Sequence, residues 1–436
     1  MESKQEKAMS IVMLPHLAYG HVSPYFELAK KLSNKGFQIY LCSTPICLES
    51  IRNNLMISSS NNIIQLIDLQ LPSSFHQELP PHYHSTKNLP PHLKNTLLAA
   101  FDASKPAFSD ILRNLKPDLV IYDLLQPWAG EAAREQNIEA VMFLTCGGMN
   151  SSAAPESPYS LDEELSEAML DTVNGITTQE RCTRSFVAAK MVLIKASREI
   201  IGGDCLSMIP QLEMVPIGPL VPKPQDHDDD ERFMNWLNKR NPSSVVFVSF
   251  GTEYFLSQQE IEEMAYGLEL SGVDFIWVVR FHGGSNIRSI HEALPGGFLE
   301  RIEGKGMIVE GWAPQAKILQ HSSTGGFVSH CGWSSTLEAM VCGVPIIAIP
   351  MQLDQPMNAK LVVDIGVGME VPKQNKKLVR KEVASVIRRV VVEEEGKEVR
   401  RRVKDLSERL KKKEDEEFDK AAEKLVKLVQ QSGNHK

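Results

Sequence analysis

The sequence predicts an α/β protein of two doubly wound parallel sheets, and three observations lead there. Apolar, β-branched runs alternate with amphipathic helical spacings through the first half. The alternation stops at a polar, acidic stretch, "VPKPQDHDDDER" (221–232). It then restarts and runs on to a charged helical tail. Parallel strands covered by helices on both faces read as continuous apolar runs, which is the pattern here.

The elements follow in order. "SIVMLP" (10–15) predicts a buried strand, and "SPYFELAKKLSNKG" a helix that stops at Gly36. "FQIYLCST", "NIIQLIDLQL" and "PDLVIYD" (117–123) predict further strands. Beyond the acidic stretch, "SVVFVSFGT", "DFIWVVR", "GMIVEGWA", "GGFVSHC" and "VPIIAIP" are strands, and "SQQEIEEMAYGLELSG" is a helix. From about 374 the chain reads as helix with acids and bases at many i,i+4 spacings. The predicted divisions are 1–222, a linker at 223–232, 233–415, and a last helix at 416–436 that packs back on the first domain. Ligands in such sheets bind beyond the carboxyl ends of the strands, and two domains put the expected site in the cleft between them.

Bulk properties narrow the classes. The net charge is −8 and 42% of residues are hydrophobic, with no basic stripe of the kind that binds nucleic acid. No apolar run reaches the roughly 18 residues a membrane span needs. Seven cysteines lie scattered with no CxxC, as in a reduced, cytoplasmic protein. "DHDDD" (226–230) contains Asp-x-Asp, a metal-binding pattern elsewhere, but it falls in the linker rather than at a strand end. His82 and His84 could ligate zinc, with no third ligand apparent. No metal is expected.

The densest chemistry lies at 311–356. "GGFVSHCGWSS" is a strand ending at His330, a glycine turn, and a helix whose free N–H groups from Gly332 to Ser335 make an anion site. Ser334 and Ser335 add hydroxyls. Glu338, one turn on, can accept from a sugar diol. Trp312 follows a strand, where an indole can stack on a base. Asp354 and Gln355 follow another strand, and Gly251 and Thr252 stand at a further strand end as a second phosphate contact.

Trp312, Ala313, Pro314, Gln315, His321, His330, Cys331, Gly332, Trp333, Ser335, Glu338, Gly343, Pro345, Pro350, Asp354 and Gln355 together resemble the signature box of plant family-1 UDP-sugar-dependent glycosyltransferases. The resemblance covers the chain in order and spacing. It implies a GT-B fold: two Rossmann-like domains facing across a cleft, the acceptor held by the first and the UDP-sugar by the second. It implies that Trp312 stacks on uracil, with Ala313 beside it, and that Gln315 and Glu338 hold the ribose. His330, Gly332, Ser335 and Thr252 meet the diphosphate; Trp333, Asp354 and Gln355 face the sugar. Ser334 departs from the family's asparagine and shortens one contact. A glutamine at the position of Gln355 goes with glucose, so UDP-glucose is the expected donor, with UDP-xylose and UDP-galactose as alternatives and no separate cofactor.

Transfer to a hydroxyl needs a base, and histidine suits neutral pH. His21 opens the first helix at a strand end, and Asp123 ends a neighbouring strand, so Asp123 is expected to orient it. The resemblance assigns the same pair as the catalytic dyad of an inverting reaction. His16, Tyr19, His82 and Gln126 are expected on the acceptor side. "YLCSTPICLESI", "DLVIYDLLQPWA" and "FVSFGTEYFLS" look like the branch-forming subgroup, which adds a sugar to the sugar of a terpenoid or flavonoid glycoside. Direct transfer to an aglycone is the alternative. The segment after about 150 reads as short, which implies an open acceptor site. A cytoplasmic monomer is expected.

Overall fold

The computed structural model describes residues 8–57, 64–87, 89–147, 169–207, 209–224, 230–281 and 289–433. They divide into two compact units, one comprising residues up to Leu220 and from Lys413 onward, the other Val221–Lys412.

The first unit carries a seven-stranded parallel sheet. Its early strands are β1 (Ser10–Leu14), β2 (Gln38–Ser43), β3 (Ile64–Asp68), β4 (Leu119–Asp123) and β5 (Glu139–Leu144). A small antiparallel hairpin, β6 (Thr172–Val173) and β7 (Ile176–Thr177), precedes the last two, β8 (Met191–Ile194) and β9 (Glu213–Pro216). The order is β3-β2-β1-β4-β5-β8-β9. The chain thus winds outward from β1, then returns to pair β4 on the other side of β1. That reversal opens a crevice at the carboxyl ends of β1 and β4, the usual ligand position in such sheets. Every residue of β1 and β4 is buried. Their register is pinned at the start, where the Ser10 N–H and hydroxyl donate to one Asp118 oxygen at 2.7 and 2.8 Å.

The second unit carries a six-stranded sheet in the order β12-β11-β10-β13-β14-β15. The strands are β10 (Val245–Ser249), β11 (Asp274–Val279), β12 (Gly306–Glu310), β13 (Thr324–Ser329), β14 (Ile346–Ala348) and β15 (Gly368–Glu370). All its pairings are parallel. Here the order reverses between β10 and β13, so Gly251 and His330 stand at the crevice. The helix Gln258–Ser271 starts with a reciprocal capping box between Ser257 and Glu260 and stops at Gly272, whose φ of +67° suits glycine.

Two features differ from the sequence expectation. Asp230 falls in the predicted linker but begins the helix Asp230–Leu237, where it pairs with Lys317 at 2.7 Å; residues 225–229 lie outside the described residues. The predicted division at 415/416 falls inside one helix, Glu395–Gly433, because its charge pairs continue through it, from Arg401–Asp405 to Lys420–Glu416. Within the first unit that helix is held by Lys31–Glu414 at 2.5 Å, Lys35–Asp419 at 2.6 Å, and by Glu417, which accepts from Ser197 Oγ at 3.0 Å and the Arg198 N–H at 2.9 Å. The segment after about 150, on which an open acceptor site was expected, lies at 148–168, outside the described residues.

Arg181, on the helix Thr178–Ala188, is 1% exposed and grips Asp102 with both terminal nitrogens at 2.7 and 2.8 Å. It also reaches the Leu125 carbonyl at 3.4 Å, two residues past β4. Removing one partner of a buried pair strands the other charge. Arg181→Ala should therefore lower unfolding free energy by about 3 kcal/mol in urea titration, and Arg181→Met with Asp102→Leu should recover much of it. Equal losses in the single and double variants would contradict this account of the pair.

Candidate active site

In the first unit the site grows from the β1 and β4 ends. The first helix, Tyr19–Asn34, begins without a side-chain cap, and its third residue is His21. His21 Nδ1 lies 2.8 Å from Asp123 Oδ2. Asp123 is 1% exposed. Burial pushes its carboxyl up, but the His21 charge and hydrogen bond, aided by His16 and the Leu125 N–H, outweigh burial and hold it below the usual value. An ionised carboxylate only accepts, so a proton sits on Nδ1, and in the neutral ring Nε2 carries the lone pair. Thr145, just after β5, places its hydroxyl 3.1 Å from the same Nδ1.

His16 sits beside this pair, its ring 5.2 Å from that of His21 and nearly edge-on. Gln126, fully buried, donates from Nε2 to His16 Nδ1 at 3.0 Å. Burial, then the neighbouring His21, pushes His16 down to about 3, so this ring is neutral at pH 7. Tyr19 is 50% exposed at the helix start. His82 is exposed on a short 3₁₀ turn, against the Tyr83 ring. His84 is buried and bonds the Leu79 carbonyl, so it serves the loop. That loop is tied to the site by the Thr86 N–H, which donates to the Leu17 carbonyl at 2.9 Å. Among the described residues no three His, Cys, Asp or Glu side chains come together to hold a metal ion.

In the second unit the turn after β13 carries the candidate anion site. Cys331 has φ +63°, an uncommon conformation for a residue with a side chain, and its N–H is held by Ser329 Oγ at 3.1 Å. Gly332 then starts the helix Trp333–Cys342, and no side chain caps it. His330 is packed between two glycines: a Cβ on Gly251 or on Gly332 would lie 2.6 Å from its ring. Burial pushes His330 down to about 4, outweighing the opposite effect of the Ser249 backbone, so it is neutral. Neutral imidazole beside a bare helix N-terminus is an arrangement that donates to an anion.

Around it the predicted residues lie as follows. Gln315 Nε2 donates to Glu338 Oε2 at 2.6 Å and to Ser335 Oγ at 3.2 Å, which locks three of them together. Trp312 is 58% exposed, an open platform for a planar ring, whereas Ala313 is buried. Trp333 is 4% exposed, so what it turns to a ligand is backbone. Ser334 is half-buried and Thr252 is exposed. Gln355 Oε1 accepts from the Met351 and Gln352 N–H groups, both at 3.0 Å, which leaves its Nε2 as a donor. Asn358, which sequence reasoning missed, ties the Cys331 carbonyl to Asp354 Oδ2, both at 3.0 Å. Thr145 was missed as well; a hydroxyl directly after an apolar run was its signal.

The chain matches two families: "UDP-glucoronosyl and UDP-glucosyl transferase" over residues 180–422, and "Glycosyltransferase, N-terminal domain" over residues 7–207. It is 48% identical to a flavanone 7-O-glucoside 2''-O-beta-L-rhamnosyltransferase of Citrus maxima, across 99% of this chain and 100% of that one. It is 46% identical to a beta-D-glucosyl crocetin beta-1,6-glucosyltransferase of Gardenia jasminoides, across 96% and 98%. Among solved structures it resembles Phytolacca americana UGT2 with UDP-2fluoro-glucose and pterostilbene, at TM-score 0.78 and 26% identity over 97% of this chain and 100% of that one.

The two depressed histidines make stability depend on pH. Unfolded, each ring takes a proton near its ordinary value of 6.5; folded, only near about 3 for His16 and about 4 for His330. Between those limits the unfolded chain binds more protons, so stability is full above the ordinary value and is lost as pH falls. The urea midpoint should drop between about pH 7 and about pH 5, and His330→Gln should flatten that drop. A slope unchanged by His330→Gln would contradict it.

Proposed function

The chain belongs to the plant family-1 UDP-glycosyltransferases, enzymes of the GT-B fold, and from that premise we propose that it transfers glucose from UDP-glucose to a sugar hydroxyl of a terpenoid or flavonoid glycoside, with inversion and without a metal. The observation that carries the mechanism is the 2.8 Å bond between His21 and Asp123. With its proton on Nδ1, His21 takes the acceptor hydroxyl's proton at Nε2. The oxygen attacks the anomeric carbon from the face opposite UDP. The carbon–oxygen bond to UDP breaks, and its electron pair leaves with the β-phosphate. Asp123 stabilises the imidazolium so formed. On the leaving side, the uncapped helix after Gly332 and the neutral His330 offer hydrogen bonds that strengthen as charge develops.

The uridine half of the donor fits the second unit: Trp312 offers a stacking face, and Glu338, oriented by Gln315, offers carboxylate oxygens to a ribose diol. Gln355 Nε2 and Asp354 are the sugar's polar partners, and a neutral amide donor suits a hexose without a carboxylate. The acceptor assignment leans on the relatives' names, which specify glucosides as substrates: a flavanone 7-O-glucoside and a glucosyl crocetin. One of these relatives transfers rhamnose by name and the other glucose, so the donor is the finer point to test.

His21→Ala should reduce turnover by about 10²–10⁴, whereas His16→Ala should keep measurable activity with altered acceptor preference. UDP release with a panel of glycosides and aglycones checks both. Loss of turnover confined to His16→Ala would overturn the assignment of the base. In the same panel glycosides should outrun their aglycones, and UDP-glucose should outrun UDP-rhamnose and UDP-xylose. A preference for unglycosylated phenols would overturn the acceptor assignment.

A further inference from the structure

Arg280 directly follows β11, at the carboxyl end of the second unit's sheet and beside the loop that follows β10. Its Nη1 donates to the Gly251 carbonyl at 3.2 Å, and its guanidinium lies 5.7 Å from the Phe255 ring centre. Gly251 in turn packs on the His330 ring, so closely that a Cβ there would come within 2.6 Å. One backbone layer therefore separates Arg280 from the histidine at the anion-binding turn.

The charge pattern around it is uneven. Four other cations of this unit have carboxylates: Arg240 pairs with Asp274, Lys317 with Asp230, Arg301 with Glu269 and Arg380 with Glu263. Arg280 is partly buried, and no carboxylate among the described residues pairs with it. A guanidinium keeps its charge, and drawing it out of water without a counter-ion is unfavourable until an anion arrives. The anion-binding turn itself brings no formal charge: His330 is neutral, Ser335 and Thr252 bring hydroxyls, and the helix brings only the partial charge of its dipole. A departing nucleoside diphosphate carries at least two negative charges.

We propose that Arg280 supplies the formal positive charge for the donor's diphosphate, acting across the Gly251–His330 layer, so that the site selects nucleoside diphosphates over uncharged nucleosides by charge as well as by hydrogen bonds. The inference rests on the UDP-sugar reading of this site. Arg280 is a positioning residue: it fixes the Gly251 carbonyl and sets the field in which the phosphate oxygens are bound and in which negative charge builds as the bond to the sugar breaks.

The test titrates UDP and uridine separately into the wild-type full chain, Arg280→Gln and Arg280→Lys, at low and high salt, with melting curves to verify folding. Arg280→Gln should bind UDP about tenfold more weakly and uridine unchanged. Arg280→Lys should stay within about threefold of wild type for UDP. The salt dependence of UDP binding should be shallower in Arg280→Gln. Equal losses for UDP and uridine would mark a merely structural residue and overturn the inference, as would UDP affinity unchanged in Arg280→Gln. Arg280→Lys losing as much UDP affinity as Arg280→Gln would overturn the role of charge. Wild-type protein that takes up no UDP would overturn the UDP-sugar reading too, whereas wild-type binding with an unaltered Arg280→Gln overturns this inference alone.

Discussion

A carboxylate buried as deeply as Asp123 is costly unless something positive or hydrogen-bonded faces it, and much of the first unit is arranged around that requirement. Its partner, His21, stands 102 residues earlier in the chain. The two meet because β1 and β4 are neighbours, and they meet at the correct height because Ser10 and Asp118 fix where the strands begin to pair. From there the register Leu14↔Tyr122 delivers Asp123 level with the turn that starts the first helix. Pairing of Asp123 with Phe143 on β5 then brings Thr145 to the same imidazole nitrogen. A shift of one residue in any of these pairings would turn the carboxylate to the opposite face of the sheet.

On the proposed reading the second unit solves a complementary problem, holding an anion where no metal-binding cluster is found among the described residues. Its answer is backbone and enclosure. Two glycines admit the His330 ring at a distance no other residue allows, and enclosure keeps that ring neutral. The left-handed Cys331 turns the chain so that the following helix presents its bare N–H groups, and Asn358 holds that turn by its carbonyl. Each donor is set before a ligand arrives, so little reorganisation accompanies charge development. The polar groups proposed for ribose are likewise pre-bonded to one another, through Gln315, Glu338 and Ser335.

Much of this was legible in the sequence, and the reasons are local. Apolar runs mark strands, and the first polar residues after them are the ones proposed to act: His330 after β13, Asp123 at the end of β4, Thr252 after β10. The first helix could be read from its periodicity, and the His21–Asp123 pairing from the rule that ligands gather at strand ends. What stayed hidden depends on contacts between distant segments. Asn358 looks like one more polar residue in a helix until Cys331 is placed beside it. Arg280 ends a strand pattern, and that no carboxylate among the described residues pairs with it can be seen only once its neighbours are known. The predicted division at 415/416 lies close to the observed boundary at Lys412/Lys413, but the helix itself is unbroken there, because i,i+4 charge pairs carry it across. His82 drew attention by its spacing, yet the loop's buried histidine is His84.

The central claim is that His21 and Asp123 act as one unit in removing the acceptor's proton. The most direct measurement is a double-variant cycle on kcat/KM with His21→Ala, Asp123→Ala and the two combined. If the pair is one device, the combined variant should be no slower than His21→Ala alone, since a carboxylate with no imidazole to orient has nothing left to contribute. Losses that multiply, with the combined variant slower than either by the product of the two, would mean that the residues act independently and would contradict the account.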